Sequence, residues 1–260
     1  MTNSLVYPRG ALFEQVGTVL RARLCRYRHL APQVRHFEFE LVEGTLDFQP
    51  GQHVGVVGES ENGLVVRPYS IASPPGGSRF ELCVRKVPGG LFSEQLFLLE
   101  PGHEILITPP RGSLQLRFPV RRVLFIATGT AVAPFRSMLL APEMWQLEPE
   151  VTLLFGARAE NELFYKDEFE KLASEHPQFR YVPVLSRPSA SWPGRRGWVQ
   201  DHIAEVLGQQ TDWDVYLCGW PEMIRQAREK LRQLGIREER VYDENTAVPY
   251  RGATGLPNDG

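Results

Sequence analysis

The stretch Ile126-Ala-Thr-Gly-Thr-Ala-Val-Ala-Pro-Phe-Arg-Ser137 joins the end of an apolar run to the start of a helical pattern. The run Arg122 to Ala127 has the length and composition of a buried strand, and Ala133 to Leu140 has the spacing of a helix. A strand that turns through Gly129 into a helix begins a parallel α/β unit, where a dinucleotide's phosphates lie near the helix start. A single glycine is weak evidence for a phosphate loop, so the neighbouring segments decide the interpretation.

Downstream of this stretch, predicted strands and helices alternate. The predicted strands are Val151–Phe155, Arg180–Leu185, Asp214–Cys218 and a last one near Arg240–Tyr242, and the predicted helices are Lys166–Ser174, Val199–Leu207 and Pro221–Leu234. Such alternation implies a parallel, doubly wound sheet whose ligands bind at the carboxyl ends of the strands. We therefore expect an α/β domain over residues 119–243, followed by a tail at 244–260.

Upstream, short alternating or β-branched runs are separated by turns rich in proline and glycine. The predicted strands are Thr18–Tyr27, Val34–Val42, His53–Val57, Arg79–Val87 and Glu104–Thr108, with a further strand at the Arg67–Ser73 segment. Only Leu91–Leu99 has an amphipathic helical pattern. We expect a small antiparallel Greek-key β-barrel over residues 16–118, preceded by an extension at 1–15.

Composition restricts the class of protein. The chain has 260 residues, 42% of them hydrophobic and 23% charged, as in a folded globular protein of two domains. A net charge of −2 argues against a nucleic-acid binder.

We find neither a secretory signal at the N-terminus nor an apolar run near the ~20 residues that cross a membrane, so we expect a cytoplasmic protein. The three cysteines, Cys25, Cys83 and Cys218, are too widely spaced for a disulfide framework, zinc site or iron–sulfur cluster. We predict no metal site.

Two motifs in the barrel half suggest a bound flavin dinucleotide. The segment Arg67-Pro-Tyr-Ser70 offers a cation for phosphate, a flat ring for stacking and a hydroxyl. The segment Gly90-Leu-Phe-Ser93 begins the predicted helix, where free N–H groups and a serine cap suit a pyrophosphate. The alternatives are an exposed strand whose Arg and Tyr pair across a sheet and an ordinary helix cap.

In order along the chain, these motifs resemble the ferredoxin–NADP reductase superfamily. The matching patterns are Arg-x-Tyr-Ser at 67–70, Gly-Gly-x-x-Ser at 89–93 and Thr-Gly-Thr-x-x-Ala-Pro at 128–134, and the resemblance covers residues 16–242. It implies a flavoenzyme that passes electrons between NADPH and a one-electron carrier, ferredoxin or flavodoxin, by hydride transfer at flavin N5. Three alternatives stay open: the reductase component of a multicomponent oxygenase, an NAD(P)H-flavin reductase, and a non-catalytic electron-transfer subunit. Oxygenase reductases often carry a cluster-binding cysteine set, which this chain lacks.

The resemblance also implies roles for individual residues. Ser70 would lie near flavin N5, Cys218 at the nicotinamide C4, and Tyr242 near the flavin as a third catalytic residue. The residues that would hold FAD are Arg67, Pro68, Tyr69, Ser70, Arg85, Lys86, Val87, Gly90, Leu91, Phe92 and Ser93, with Tyr250 of the tail stacked on FAD. The alternatives are a small buried cysteine at 218 and a disordered tail.

Preference for NADPH is predicted from cations near the ends of the parallel strands. A ribose 2′-phosphate requires arginines and a hydroxyl, whereas an unphosphorylated ribose is usually held by a carboxylate. Ser186, Arg187 and Arg195 follow the third strand, Arg158 follows the second, and no Asp or Glu occurs between Leu185 and Gln200. The alternative is a set of solvated loop arginines.

The phosphate turn departs from the family at one position. We assign Thr130 to it, and the next residue is Ala131 where the family usually has glycine. A methyl group there is tolerated at negative φ, whereas positive φ would force the turn to shift.

An early strand carries a candidate surface for the electron carrier. Four arginines occur within Arg21–Arg28, and Arg21 and Arg23 share one face of the predicted strand. A positive patch there would attract an acidic carrier such as ferredoxin or flavodoxin. The alternative is ordinary solvated surface.

Overall fold

The computed structural model describes residues 17–60 and 63–244, and every structural statement below concerns them. The first half forms six antiparallel strands: β1 (Leu20–Ala31), β2 (Val34–Leu41), β3 (His53–Ser60), β4 (Gly63–Ser70), β5 (Arg79–Arg85) and β6 (Glu104–Ile107). Their order is β4-β3-β6-β1-β2-β5. An antiparallel bridge between Ile71 and Leu82 joins the two outer strands, so the sheet closes into a barrel.

Alternation of apolar side chains explains why these strands close around one core. In β2, Phe37 and Phe39 point inward, and Phe39 stacks on Phe80 of β5 with ring centroids 5.5 Å apart. Between β5 and β6 lies α1 (Leu91–Phe97), whose Leu96 is buried against the barrel. As predicted, this is the one α-helix of the barrel half in the part of the chain that the structure describes.

The second half is a parallel sheet with helices on both faces. Its elements are β7 (Arg122–Thr128), α2 (Ala133–Leu140), β8 (Glu150–Ala157), α3 (Lys166–Glu175), β9 (Phe179–Leu185), β10 (Arg195–Arg196), α4 (Ile203–Leu207), β11 (Asp214–Cys218), α5 (Pro221–Gln233) and β12 (Val241–Asp243). The order is β10-β9-β8-β7-β11-β12, and each neighbouring pair is parallel. The predicted two-domain fold class is confirmed.

Strand order positions the candidate site. The chain starts at β7, builds β8 and β9 on one side, and then crosses to β11 on the other. In open α/β sheets a ligand crevice forms outside the carboxyl ends of the strands where the order reverses. That crevice lies between the ends of β7 and β11, at Thr128 and Cys218.

The two halves share a buried interface. Arg136 of α2 is 6% exposed, and its Nη1 donates to the carbonyl oxygen of Ala72 at 2.6 Å and to Glu81 Oε2 at 2.5 Å, both in the barrel half. Its Nε lies 2.7 Å from Glu168 Oε1 of α3. Beside it, His36 Nδ1 of β2 lies 3.0 Å from the hydroxyl of Tyr165. These contacts fix the barrel against the parallel sheet. None of the described helices is long and apolar enough to cross a membrane.

Candidate functional site

Strand β4 carries the predicted flavin residues along one edge of the barrel. Its last residue, Ser70, is paired with His53 of β3, and Tyr69 is paired with Val54. The Tyr69 ring packs against the barrel core, and burial raises its pKa to about 12 despite the opposing effect of Arg67. The phenol is therefore neutral at physiological pH, and its ring can offer a flat surface for stacking. Arg67 and Pro68 are exposed.

Ser70 and Cys218 meet at one carboxylate. The hydroxyl of Ser70 donates to Glu244 Oε1 at 3.2 Å, and the Cys218 thiol lies 3.8 Å from the same oxygen. Ser70 comes from the barrel, Cys218 from the end of β11, and Glu244 directly follows β12. The structure thus brings together two of the three predicted catalytic residues. Glu244 was missed because it stands in no recognised motif and is separated from Ser70 by 174 positions.

The crevice between β7 and β11 is shaped for a close approach of ligand and backbone. Cys218 is 6% exposed, and burial, with Glu244 next in importance, raises its pKa well above the usual value, so the thiol is uncharged. At Gly219, φ is +154°, and a Cβ would lie 2.4 Å from Thr128 Oγ1. That hydroxyl is buried and has no hydrogen-bond partner among the described residues. An unpaired hydroxyl at the carboxyl ends of parallel strands fits a polar ligand such as a nucleotide.

The loop between β5 and α1 has a different internal structure from the one predicted. Gly90 precedes the helix without a side-chain cap, so Ser93 does not cap the helix as predicted. Ser93 lies inside the first turn, where its hydroxyl accepts a hydrogen bond from the Val87 N–H at 2.9 Å and fixes the preceding loop. The first N–H groups of the helix, at Leu91 and Phe92, have no acceptor within the helix.

Gly90 and its neighbours define the path of this loop. The Gly90 N–H donates to the Val87 carbonyl at 2.9 Å, and a Cβ on Gly90 would lie 2.9 Å from that oxygen. The Phe92 ring lies against Gly58, where a Cβ would be 2.1 Å from the ring. Lys86 is partly buried, and Val87 is 54% exposed. The predicted FAD-binding residues thus lie on β4, at the end of β5 and in the loop that leads into α1.

The Arg85 side chain lies close to the turn after β7. Arg85 is the last residue of β5, and its Nη2 is 3.9 Å from the position that a Cβ on Gly129 would take. Gly129 begins a 3₁₀ turn that contains Thr130. Among the described residues, only Glu148 and Tyr165 are non-glycine residues with positive φ, so Ala131 causes no backbone strain there.

Arg158, Ser186 and Arg187 are brought together at the ends of β8 and β9. The N–H of Ser186 donates to the Ala157 carbonyl at 3.0 Å, and the N–H of Arg187 donates to the Arg158 carbonyl at 2.7 Å. The two guanidinium groups are exposed, and neither has a hydrogen-bond or ion-pair partner among residues 17–60 and 63–244. Two free cations and a hydroxyl are the donors that a phosphate group requires.

Arg195, unlike Arg158 and Arg187, is paired with a carboxylate. In β10 it pairs with Val184, and its Nε donates to Glu205 Oε2 of α4 at 3.1 Å. The guanidinium of Arg195 is therefore paired with a carboxylate of α4, whereas those of Arg158 and Arg187 have no partner among the described residues.

Comparisons with known proteins agree with this architecture. A family model described as an oxidoreductase FAD-binding domain matches residues 21–116, and one described as an oxidoreductase NAD-binding domain matches residues 125–229. The chain is 42% identical over 234 residues to ferredoxin–NADP reductase B of Sorangium cellulosum, covering 86% of this chain and 96% of that protein. The chain belongs to the ferredoxin–NADP reductase superfamily.

More distant relatives of this superfamily member include oxygenase components. It is 35% identical over 229 residues to the xylene/toluene monooxygenase electron transfer component XylA of Pseudomonas putida, covering 85% of this chain but 63% of XylA. The crystal structure of the Amycolatopsis cytochrome P450 reductase GcoB superposes with a TM-score of 0.79 at 28% identity, covering 87% of this chain and 69% of that one. A Neisseria gonorrhoeae ferredoxin NADP+ reductase with bound FAD and NADP has the same fold, with a TM-score of 0.77, 24% identity and coverage of 87% and 98%.

The predicted family and the prediction of an FAD-dependent oxidoreductase that uses a nicotinamide nucleotide are therefore confirmed. In this reductase the barrel half matches the FAD-binding domain and the parallel half matches the NAD-binding domain.

Tyr242, predicted as a third catalytic residue, makes a different set of contacts. Tyr242 packs between the Tyr216 ring, 4.8 Å away between centroids, and the Arg117 guanidinium, 4.7 Å from its ring, because its strand position matches that of Tyr216. No contact joins Tyr242 to Ser70 or Cys218 among the described residues, so its predicted role near the flavin stays a prediction. Tyr250 lies outside the described residues.

The predicted positive patch on β1 is largely neutralised. Arg21 and Arg23 both bind Glu104 of β6, at 2.7 and 2.9 Å, and Arg26 binds Glu38 of β2 at 2.7 Å. The prediction considered only the strand's own residues, whereas the carboxylates come from the two neighbouring strands. The patch is therefore corrected to a row of ion pairs with a small positive excess.

Proposed function

We propose that this protein transfers electrons between NADPH and a one-electron carrier, ferredoxin or flavodoxin. The observation that supports this most strongly is the meeting of Ser70 and Cys218, from two different domains, at Glu244. When bound, FAD supplies a hydride acceptor at N5 and releases electrons singly, which a nicotinamide cannot do. The protein supplies position and electrostatics.

Each residue of the site has a definite task in this proposal. Tyr69 provides the stacking surface, while Arg67, Arg85 and the N–H groups of Leu91 and Phe92 at the start of α1 hold the negatively charged part of FAD. Ser70 keeps a hydroxyl proton at the reacting position and can exchange it with the exposed carboxylate of Glu244. The neutral thiol of Cys218 fills the nucleotide side of the crevice without adding charge.

NADPH is proposed as the nucleotide because Arg158, Ser186 and Arg187 offer unpaired donors at one edge. The similarity to the Sorangium cellulosum relative, a ferredoxin–NADP reductase, also supports NADPH as the nucleotide. Glu205 pairs with Arg195, which supports Arg158 and Arg187 as the main residues for phosphate recognition in this proposal.

Replacement of Arg187 by alanine tests the nucleotide preference. We expect the KM for NADPH to rise by about 10- to 100-fold, because a charge-assisted hydrogen bond contributes about 1.5–3 kcal/mol. The KM for NADH should change less than about twofold. Arg195→Ala is the matched control, since its guanidinium is already paired, and it should leave both constants nearly unchanged. Equal effects of Arg187→Ala on the two nucleotides would contradict the assignment.

A second candidate function is that of a reductase serving an oxygenase, which the similarity to XylA favours. An absorbance spectrum of the purified holoprotein during anaerobic addition of each nucleotide separates the candidates. Rapid bleaching by NADPH and slow bleaching by NADH supports the first proposal. Equal bleaching by NADH supports the oxygenase role, and no bleaching by either would leave an electron-transfer subunit without nucleotide oxidation.

A further inference from the structure

The loop formed by residues 186–194, which begins with Ser186 and Arg187, is held from two sides. On one side, Glu160 Oε1 accepts hydrogen bonds from the Ser189 N–H at 2.9 Å and from the Ser189 hydroxyl at 2.5 Å. On the other side, Arg196 Nη2 lies 3.0, 3.2 and 3.0 Å from the carbonyl oxygens of Ser189, Ala190 and Trp192. An anion and a cation thus clamp opposite polar groups of the same loop.

The far end of the loop is also packed. The Trp192 indole N–H donates to the carbonyl of Arg195 at 3.0 Å, and a Cβ on Gly194 would lie 2.6 Å from the Trp192 ring. The near end is fixed by the bond from the Arg187 N–H to the Arg158 carbonyl. Between these two ends, Ser189 contacts the Ser191 hydroxyl within the loop at 3.0 Å, and the hydrogen bonds from outside the loop come from Glu160 and Arg196. These two residues therefore hold the loop against the rest of the domain.

We propose that Glu160 and Arg196 are positioning residues that hold Ser186 and Arg187 for a ribose 2′-phosphate, and so contribute to selectivity for phosphorylated nucleotides. This inference rests on the proposed use of NADPH. Neither residue needs to touch the ligand, because each is already occupied within the loop. The hydrogen bond from Ser189 lowers the pKa of Glu160, which is therefore ionised at neutral pH.

Glu160 and Arg196 carry opposite charges, so an electrostatic role and a positioning role predict different effects of removing them. If these residues acted only through the electrostatic potential, removing Glu160 would strengthen binding of a phosphate dianion and removing Arg196 would weaken it. If they act by positioning, both removals weaken binding, because the apparent dissociation constant rises as the fraction of molecules with a competent loop falls. Two residues of opposite charge then give effects of the same sign.

The experiment uses the full chain loaded with FAD and adenosine 2′,5′-bisphosphate as the probe, with binding measured by calorimetry. We expect Glu160→Ala and Arg196→Ala each to weaken binding about tenfold, as they would if the competent fraction fell to about a tenth. Glu160→Gln keeps an oxygen acceptor for Ser189 and should stay within about threefold of the wild type. The kcat/KM for NADH should be unchanged in all three variants, and equal melting temperatures verify that they fold.

Tighter binding of the bisphosphate by Glu160→Ala than by the wild type would overturn the proposal. Wild-type affinity for the bisphosphate in both Glu160→Ala and Arg196→Ala, together with lost binding in Arg187→Ala, would overturn it as well. In that last case the proposed NADPH specificity would survive without the positioning role. A wild-type protein that fails to bind the bisphosphate would overturn both. A weakening that Glu160→Gln shares in full with Glu160→Ala would contradict the role of the Ser189 hydrogen bonds.

Discussion

Replacing Arg136 with methionine is expected to lower the free energy of unfolding by about 3–5 kcal/mol at pH 7, because one partner of a buried charge network is removed. The Arg136 side chain is 8% exposed, and it pairs with Glu81 and Glu168, whose side chains are 24% and 28% exposed. Without the guanidinium, two half-buried carboxylates and the Ala72 carbonyl lose their donor. Urea unfolding measures the change.

Lys171→Met is the matched control for Arg136→Met. Lys171 pairs with Glu175 at 3.6 Å on the exposed face of α3, and such pairs contribute about 0–1 kcal/mol. A loss of less than about 1 kcal/mol in Arg136→Met would show that the interface is held by apolar packing and not by this network.

The same variant should show a characteristic dependence on pH. Burial alone would raise the pKa of Glu81, but His36 and Arg136 outweigh it and lower the pKa from 4.5 to about 2. Because the folded pKa lies below the unfolded one, this contribution to stability is complete above pH 4.5 and is lost as the pH falls toward 2. The difference in unfolding free energy between wild type and Arg136→Met should therefore shrink as the pH falls from about 4.5 to about 2.

Replacing Ser70 with alanine is expected to slow reduction of the bound flavin by NADPH about 100-fold, which is the lower range of what a positioned proton-transfer group contributes. The hydroxyl is the one group of the barrel that donates to Glu244 in the described structure. Its removal deletes one oxygen from the end of β4, so FAD content should not change. Anaerobic stopped-flow absorbance measures the rate of reduction in a single turnover.

Ser78→Ala is a suitable control for Ser70→Ala, since Ser78 is a serine of the same barrel whose hydroxyl donates to a different carboxylate, Glu40, at 3.1 Å. It should reduce at the wild-type rate. Glu244→Ala should slow reduction as well, because it removes the group that connects Ser70 and Cys218. An unchanged rate in Ser70→Ala would eliminate the proposed role of this contact.

In the parallel half, local sequence was sufficient to predict most of the strands. Predicted and observed strands agree within about two residues at β7, β8, β9 and β11, because each is an apolar run bounded by glycine, proline or charge. The helix predicted at Val199–Leu207 begins instead as a 3₁₀ turn over Val199–His202. Boundaries of this kind depend on packing against α5, where Gln200 donates to Gln226 at 2.6 Å.

Side-chain roles were predicted less completely than the elements that carry them. Sequence motifs identified Ser70 and Cys218, because both stand in recognisable patterns at the ends of strands. The role of Ser93 and the pairing of Arg195 required knowledge of which turn or neighbour each side chain reaches. The pattern of residue types along the sequence does not show in which direction a side chain points.

The sequence by itself determined the two-domain fold, the FAD and nicotinamide-nucleotide domains and the order of their motifs, since periodicity, turn residues and short motifs are local properties of the chain. Only the tertiary structure decided which charges remain free. Glu104 neutralises Arg21 across 83 positions, and Glu244 reaches Ser70 across 174. Such contacts depend on strand order and on how the barrel packs against the parallel sheet, and that packing arises from the whole core rather than from any one segment.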